Sequence, residues 1–356
     1  MIDRRRSQTT ARHWTRTGTS FLVSLAVAAF AVRTGPPVRG APASACGLEG
    51  VERVVAIGDV HGAADRLVDI LRTTGLIDAR QKWSGGRAHL VQLGDVVDRG
   101  PDSRKALDLL HRLEGEAASA GGRVHVLLGN HEVARMLGDL RYVVPGEYEA
   151  FTTSESAEIR RRFVEASKSP DPDQLLKDTP LGQIEMLIGF GSNGTYGKWL
   201  RTLDTTVKIN GVVFVHGGIS PGVAPLSCDE INTTVRRELT ADFDKTRTAP
   251  LASLAAREDG PGWYRGLAQE ADSFAPQVDD ILLKQKARAI VVAHTVSSDG
   301  RIHERFGGKV IEIDTGMQPA YVPNGRASAL EIHDAQFTAV YEDRREALAE
   351  AGLLGR

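Results

Sequence analysis

The sequence predicts an α/β chain in which two packed β-sheets are flanked by helices, on three observations. Short apolar runs, V-V-A-I at 54–57, L-V-Q-L at 90–93 and V-H-V-L-L at 124–128, alternate with helix-forming stretches and read as buried strands. Later strands follow one another directly, at 309–313, 327–332 and 337–341. Alternation first and strand after strand later suits two sheets packed face to face with helices outside. Finally, each early run stops at a glycine, which turns the chain and lets backbone approach a ligand.

The residues after those glycines are chemically specific. G-D-V-H-G at 58–62, G-D-V-V-D-R-G at 94–100 and G-N-H-E at 129–132 place Asp, His, Asp, Asn and His where apolar runs end. Ligands at the ends of adjacent strands converge on one point. Two divalent ions about 3.5 to 4 Å apart activate a water and clamp both ends of an in-line displacement at phosphorus. Such a pair needs mixed oxygen and nitrogen ligands. Asp59, His61 and Asp95 are assigned to one ion, and Asp95 bridges to a second that also takes Asn130. The second ion's nitrogens come from His216 in V-F-V-H-G-G (213–218) and His294 in I-V-V-A-H-T (290–295). No thiolate stands in the set, which argues against a closed structural zinc site and for manganese, with iron or zinc as alternatives.

With these five blocks in this order, the chain resembles the metal-dependent phosphoprotein phosphatases of the calcineurin-like metallophosphoesterase superfamily. G-D-L-R-Y-V at 138–143 and G-P-G-W-Y-R-G at 260–266 narrow the resemblance to the bacterial-type Shewanella-like phosphatases. The resemblance implies a four-layer metallophosphoesterase fold and a catalytic domain over 51–342. Taken alone, an Asp-x-His or a Gly-Asn-His is more often a capped turn than a ligand set; five blocks in family order are a different case. The lone histidines His89, His111, His125, His303 and His333 read as structural, with His303 and His333, near the last strands, retained as candidates to hydrogen-bond a ligand from behind.

His131, next to ligand Asn130, fits the acid that protonates a leaving alkoxide or phenoxide. The resemblance supplies Asp98 as the carboxylate that fixes its tautomer, as in Ser-His-Asp triads. Arg99 can present a planar fork to two phosphate oxygens, with Asn130 beside it. The family also supplies a second arginine after the H-G-G block, best matched by Arg265, with Arg257, Arg141 and Arg247 as rivals. Two other functions compete: hydrolysis of dinucleoside polyphosphates by the same superfamily, and a catalytically inactive phosphate-binding module. Intact V-D-R-G and G-N-H-E blocks argue for the phosphatase, acting on a phosphorylated protein or a small phosphoester.

The 356 residues, 41% hydrophobic and 25% charged, suffice for one domain of about 250 to 300 residues plus extras. A net charge of -2 leaves no electrostatic footprint for nucleic acid. Residues 1–45 carry an arginine cluster, an apolar run over 21–32 and a Pro/Gly/Ala-rich tract with A-P-A and A-S-A, the layout of a secretory signal peptide. Ser7, Gln8 and Thr9 after the arginines favour the general secretory route over the twin-arginine one, and twelve apolar residues are too few for a permanent span. Cys46 after A-S-A leaves a lipid-modified cysteine as a minor reading, and Cys46 with Cys228 allows one internal disulfide. Residues 145–205 form a helical cap insertion beside the cleft, and the charge alternation over 343–356 predicts a solvated helix.

Overall fold

Val54 and Ala56 face one way from their strand and Val55 and Ile57 the other, and all four are buried. A strand covered on both faces has no polar face to show, so its sequence is a continuous apolar run. The computed structural model describes residues 46–334 and 336–348; the signal-peptide reading lies outside the described residues. In chain order the strands are β1 (Gly47–Leu48), β2 (Arg53–Ile57), β3 (His89–Gln92), β4 (Arg123–Val126), β5 (Thr206–Ile209), β6 (Val212–Val215) and β7 (Ala289–Val292). They continue as β8 (His303–Arg305), β9 (Val310–Glu312), β10 (Ser328–His333), β11 (Gln336–Tyr341) and β12 (Arg345–Ala347).

Among the described residues these make two mixed six-stranded sheets, ordered β1-β5-β6-β7-β9-β8 and β12-β11-β10-β2-β3-β4. Val54, Ala56 and Val91 of one sheet pack with Ile209, Phe214, Val291 and Ile311 of the other. The alternate residues turn to the outer helical layers: Val55 and Ile57 to the side that carries Leu67, Ile70, Leu107 and Leu110, and Val213 and Val215 to the opposite side, which carries Ile231 and Val235 of the helix Cys228–Glu238. The fold is therefore the four-layer α/β arrangement expected. β2, β3 and β4 run parallel in one sheet and β6, β7 and β9 in the other. Their carboxyl ends meet at one edge of the sandwich, where the candidate ligands lie.

Residues 145–205 contain the helices Pro145–Glu149, Ser156–Ser167, Pro172–Asp178, Gln183–Phe190 and Thr195–Leu200. No helix among the described residues is long and apolar enough to cross a membrane. Cys46 and Cys228 are disulfide-bonded, Cα atoms 5.8 Å apart, tying the chain ahead of β1 to the helix Cys228–Glu238. The helix expected over 343–356 is corrected for its described part, which pairs as β12 antiparallel to β11; residues 349–356 lie outside the described residues. Its charges serve as pairs at a sheet edge, Arg345 on Glu331 and Arg344 on Glu346, while Leu348 packs on the inter-sheet core. His303 and His333 are also corrected: His303 is half-buried on Asp299 (2.8 Å) and His333 is exposed near Glu52 (3.5 Å), neither of them bonded to a candidate ligand.

Candidate metal centre and active site

Every candidate ligand follows a parallel strand within a few residues, and the turns that carry them are strained. His61, Asp95, Asp98, Arg99 and His294 all have φ between +48° and +72°. For residues with a side chain, such left-handed backbone costs on the order of 1 to 3 kcal/mol each and persists only when the surroundings enforce it. Glu132 supplies much of that enforcement. Its buried carboxylate accepts from the backbone N–H of Asp95 (2.8 Å), Val96 (2.8 Å) and Gly129 (3.0 Å), clamping the second block to the third. Gly94 has φ +96°, and a Cβ there would stand 2.3 Å from the Gly129 nitrogen, so the two blocks touch only because both begin with glycine.

The structure brings Asp59, His61, Asp95, Asn130, His216 and His294 together, all buried. Asp95 is central: its Oδ2 lies 3.7 Å from His61 Nε2 and 3.2 Å from His216 Nε2. Asp59 Oδ2 lies 3.6 Å from His61 Nε2, and Asp59 Oδ1 accepts from the His294 N–H at 3.1 Å. His61 Nδ1 donates to the Val97 carbonyl and His216 Nδ1 to that of Leu93, both at 2.9 Å. Those bonds fix the tautomers and leave Nε2 of each ring as a lone pair facing inward. His216 Nε2 then meets Asn130 Oδ1 at 3.0 Å, acceptor against acceptor, while buried His294 Nε2 has no hydrogen-bond partner. Converging lone pairs and an orphaned imidazole nitrogen fit divalent cations. Burial lowers His61 to about 4 and His294 to about 2, so both rings are neutral at pH 7, the form that ligates. Burial works against the Asp95 charge, but His216, His131 and His61 outweigh it and hold the carboxyl well below its ordinary range.

His131 adjoins this cluster without spending itself there. Nδ1 pairs with Asp98 Oδ2 at 2.6 Å, and Nε2 looks into the site 3.8 Å from Asp95 Oδ2. Although burial opposes it, Asp95 and Asp98 raise the His131 pKa above its ordinary value. Arg99 is held between two rings, its guanidinium 4.4 Å from the Tyr142 centroid and 4.0 Å from that of Tyr321. Arg265 donates to the His294 carbonyl (2.7 Å) and to Thr295 Oγ1 (3.1 Å), oxygens without formal charge. Its rivals are spent on neighbouring carboxylates: Arg257 on Asp259, Arg141 on Asp139 and Arg247 on Asp244. The G-P-G-W-Y-R-G loop reaches the centre because the Pro261 carbonyl accepts from Gly217 and Gly218, and a Cβ at Gly217 would strike Trp263 at 2.8 Å.

Sequence reasoning missed several neighbours. Buried Asp314 shares a hydrogen bond with Asp59, and burial raises Asp314 to about 6. It carried part of the same signal, a carboxylate just past the end of an apolar strand, but it stands two residues before a glycine and not directly after one. Tyr321, Arg135 and Glu147 carried none, because only packing brings them in.

Residues 52–298 match the family model described as calcineurin-like phosphoesterase. The chain belongs to that family. It is 30% identical over 301 residues to Shewanella-like protein phosphatase 2 of Arabidopsis thaliana, covering 79% of this chain and 75% of that one. An uncharacterised protein of Schizosaccharomyces pombe is 33% identical over 297 residues, 81% and 80% of the two chains. Among solved structures, the cold-active protein tyrosine phosphatase of a psychrophilic Shewanella species superposes with TM-score 0.67 at 29% identity, over 86% of this chain and 83% of that one. This phosphoesterase is a hydrolytic phosphatase, and divalent metals are what its family and its His/Asp clusters imply.

Proposed function

We propose that the protein is a dinuclear metal-dependent phosphomonoesterase acting on phosphoproteins. The observation that carries this reading is Asp95, whose Oδ2 lies within reach of both ligand groups, 3.7 Å from His61 Nε2 and 3.2 Å from His216 Nε2. Asp59, His61 and Asp95 would hold one ion, and Asp95, Asn130, His216 and His294 the other, with manganese the first choice of metal. Bound there, the pair would supply Lewis-acid charge and an activated water for in-line attack at phosphorus.

This chain's own residues do the rest. His131 donates its Nε2 proton to the departing ester oxygen, and Asp98 stabilises the ring that carried it by holding Nδ1–H. The rings of Tyr142 and Tyr321 hold Arg99 flat, which orients its fork toward phosphate oxygens, and Arg265 offers a second cation beside His294. The names of the relatives, protein phosphatase and protein tyrosine phosphatase, support a phosphorylated side chain as substrate. Residues 145–205 act as a cap over substrate access.

Export through the residue 1–45 leader is part of the same reading, with a mature terminus expected between about residues 44 and 47 and narrowed to Cys46 or earlier by the disulfide that Cys46 makes. The Cys46–Cys228 disulfide supports it, since such bonds persist in oxidising compartments, and it leaves Cys46 no sulfur for a lipid. The test is metal-depleted and manganese-restored protein assayed on phosphotyrosine, phosphoserine and phosphothreonine peptides beside a diadenosine polyphosphate. Metal-dependent release of phosphate from a peptide is expected. Activity confined to the dinucleotide, or phosphate release indifferent to metal, would overturn the reading.

A further inference from the structure

Arg135 is one of the largest fully buried side chains in the molecule, and its position is specific. It lies one turn after His131 on the helix Asn130–Met136, so the two side chains emerge on the same face. A guanidinium taken out of water is costly unless carboxylates and acceptors meet it. Here they do. Nη2 donates to Asp98 Oδ1 and, at 3.0 Å, to Glu147 Oε2. Nη1 lies 3.2 Å from Met186 Sδ, and the Phe190 ring centroid is 5.1 Å from the guanidinium carbon.

Asp98 is therefore held at both oxygens by one helix, Oδ2 by His131 and Oδ1 by Arg135. Its backbone needs holding, at φ +72°, and its N–H donates to Glu147 Oε2 at 3.4 Å. Glu147, Met186 and Phe190 all come from the 145–205 insertion. Among the described residues, the hydrogen bonds that join that insertion to the Asp98–His131 pair run through the Arg135 guanidinium or through Glu147's own bond with the Asp98 backbone.

We propose that Arg135, with Glu147 behind it, is a positioning residue that fixes Asp98 and through it aims the His131 ring at the leaving group. The insertion then sets the efficiency of proton donation as well as access to the cleft. This rests on His131 being the general acid. A merely structural Arg135 would lower activity on every substrate alike, whereas a positioning role shows itself where the leaving group needs a proton.

The experiment measures kcat and KM on 4-nitrophenyl phosphate, whose phenol is acidic, and on a phosphoserine peptide, whose alkoxide is not. Arg135→Lys and the charge-balanced double variant Arg135→Met with Glu147→Gln are compared with His131→Asn, all manganese-loaded and checked for bound metal. We expect kcat on the peptide to fall on the order of tenfold or more in the double variant and less than about threefold on the aryl ester. KM and metal content should hold, and Arg135→Lys should recover part of the loss. A split in His131→Asn with none in the double variant overturns the inference alone. No split in His131→Asn overturns the acid assignment and this inference with it.

Discussion

Two groups of histidines come together among the described residues, and only one of them is fit to hold metal. His89 and His125 sit on β3 and β4, the strands that lead to Asp95 and Asn130, but their rings are turned on each other, His125 Nε2 to His89 Nδ1 at 3.1 Å. Burial lowers them to about 4 and about 3, much as it lowers His61 and His294. A depressed histidine pKa therefore does not distinguish the groups. Company does: the charge nearest the first pair is Arg123, whereas the second group surrounds the Asp95 carboxylate. A ligating site needs anions and free lone pairs together, and at His89 and His125 each ring already supplies the other's partner.

The sharpest way to break this comparison is to remove the anion. Asp95→Asn should abolish binding of both ions and lower turnover on the order of a thousandfold or more, because one carboxylate serves both sites. His125→Phe, equally buried, should leave metal content and kcat unchanged and alter only thermal stability. Metal analysis with a phosphate-release assay checks both; a His125 variant short of metal would erase the distinction drawn here.

A smaller effect is expected at the rim. Arg265→Ala should reduce kcat/KM about tenfold and weaken inhibition by free phosphate without loss of metal. Unchanged phosphate inhibition would return Arg265 to holding the His294 carbonyl only.

The smallest expected effect concerns a half-buried carboxyl without metal ligands around it. Glu114 accepts from Trp199 Nε1 at 3.0 Å, and burial raises it from 4.5 to about 7. The fold thus prefers the neutral acid, so its contribution is intact below about pH 4.5 and is lost as pH rises toward 7. Glu114→Gln should raise Tm modestly above pH 7 and leave it unchanged below pH 4.5. A gain of equal size at both pH values would place the cause outside ionisation.

What was legible in the sequence was what strands alone determine. Runs such as 54–57 and 290–292 are apolar throughout because both faces are covered, and a polar residue just past a run's end must sit at the sandwich edge. Asp314 obeys the same rule and could have been read from 310–314. Arg135, Glu147 and Tyr321 could not, since nothing local tells which residues of a helix or loop will face a distant turn. The tail misled because alternating charge satisfies either a helix face or cross-strand pairs, and Leu348 decided for the sheet. As the two cysteines of the sequence, Cys46 and Cys228 could pair only with each other, but across 182 residues nothing local showed that β1 and the Cys228–Glu238 helix would bring them together.

Calorimetric titration of metal-depleted protein with manganese counts the ions that a centre bridged by Asp95 would hold. Two ions per chain are predicted for the wild type, one for His294→Ala, and none bound tightly by Asp95→Asn. A single site in the wild type, or two sites surviving in Asp95→Asn, would contradict the account.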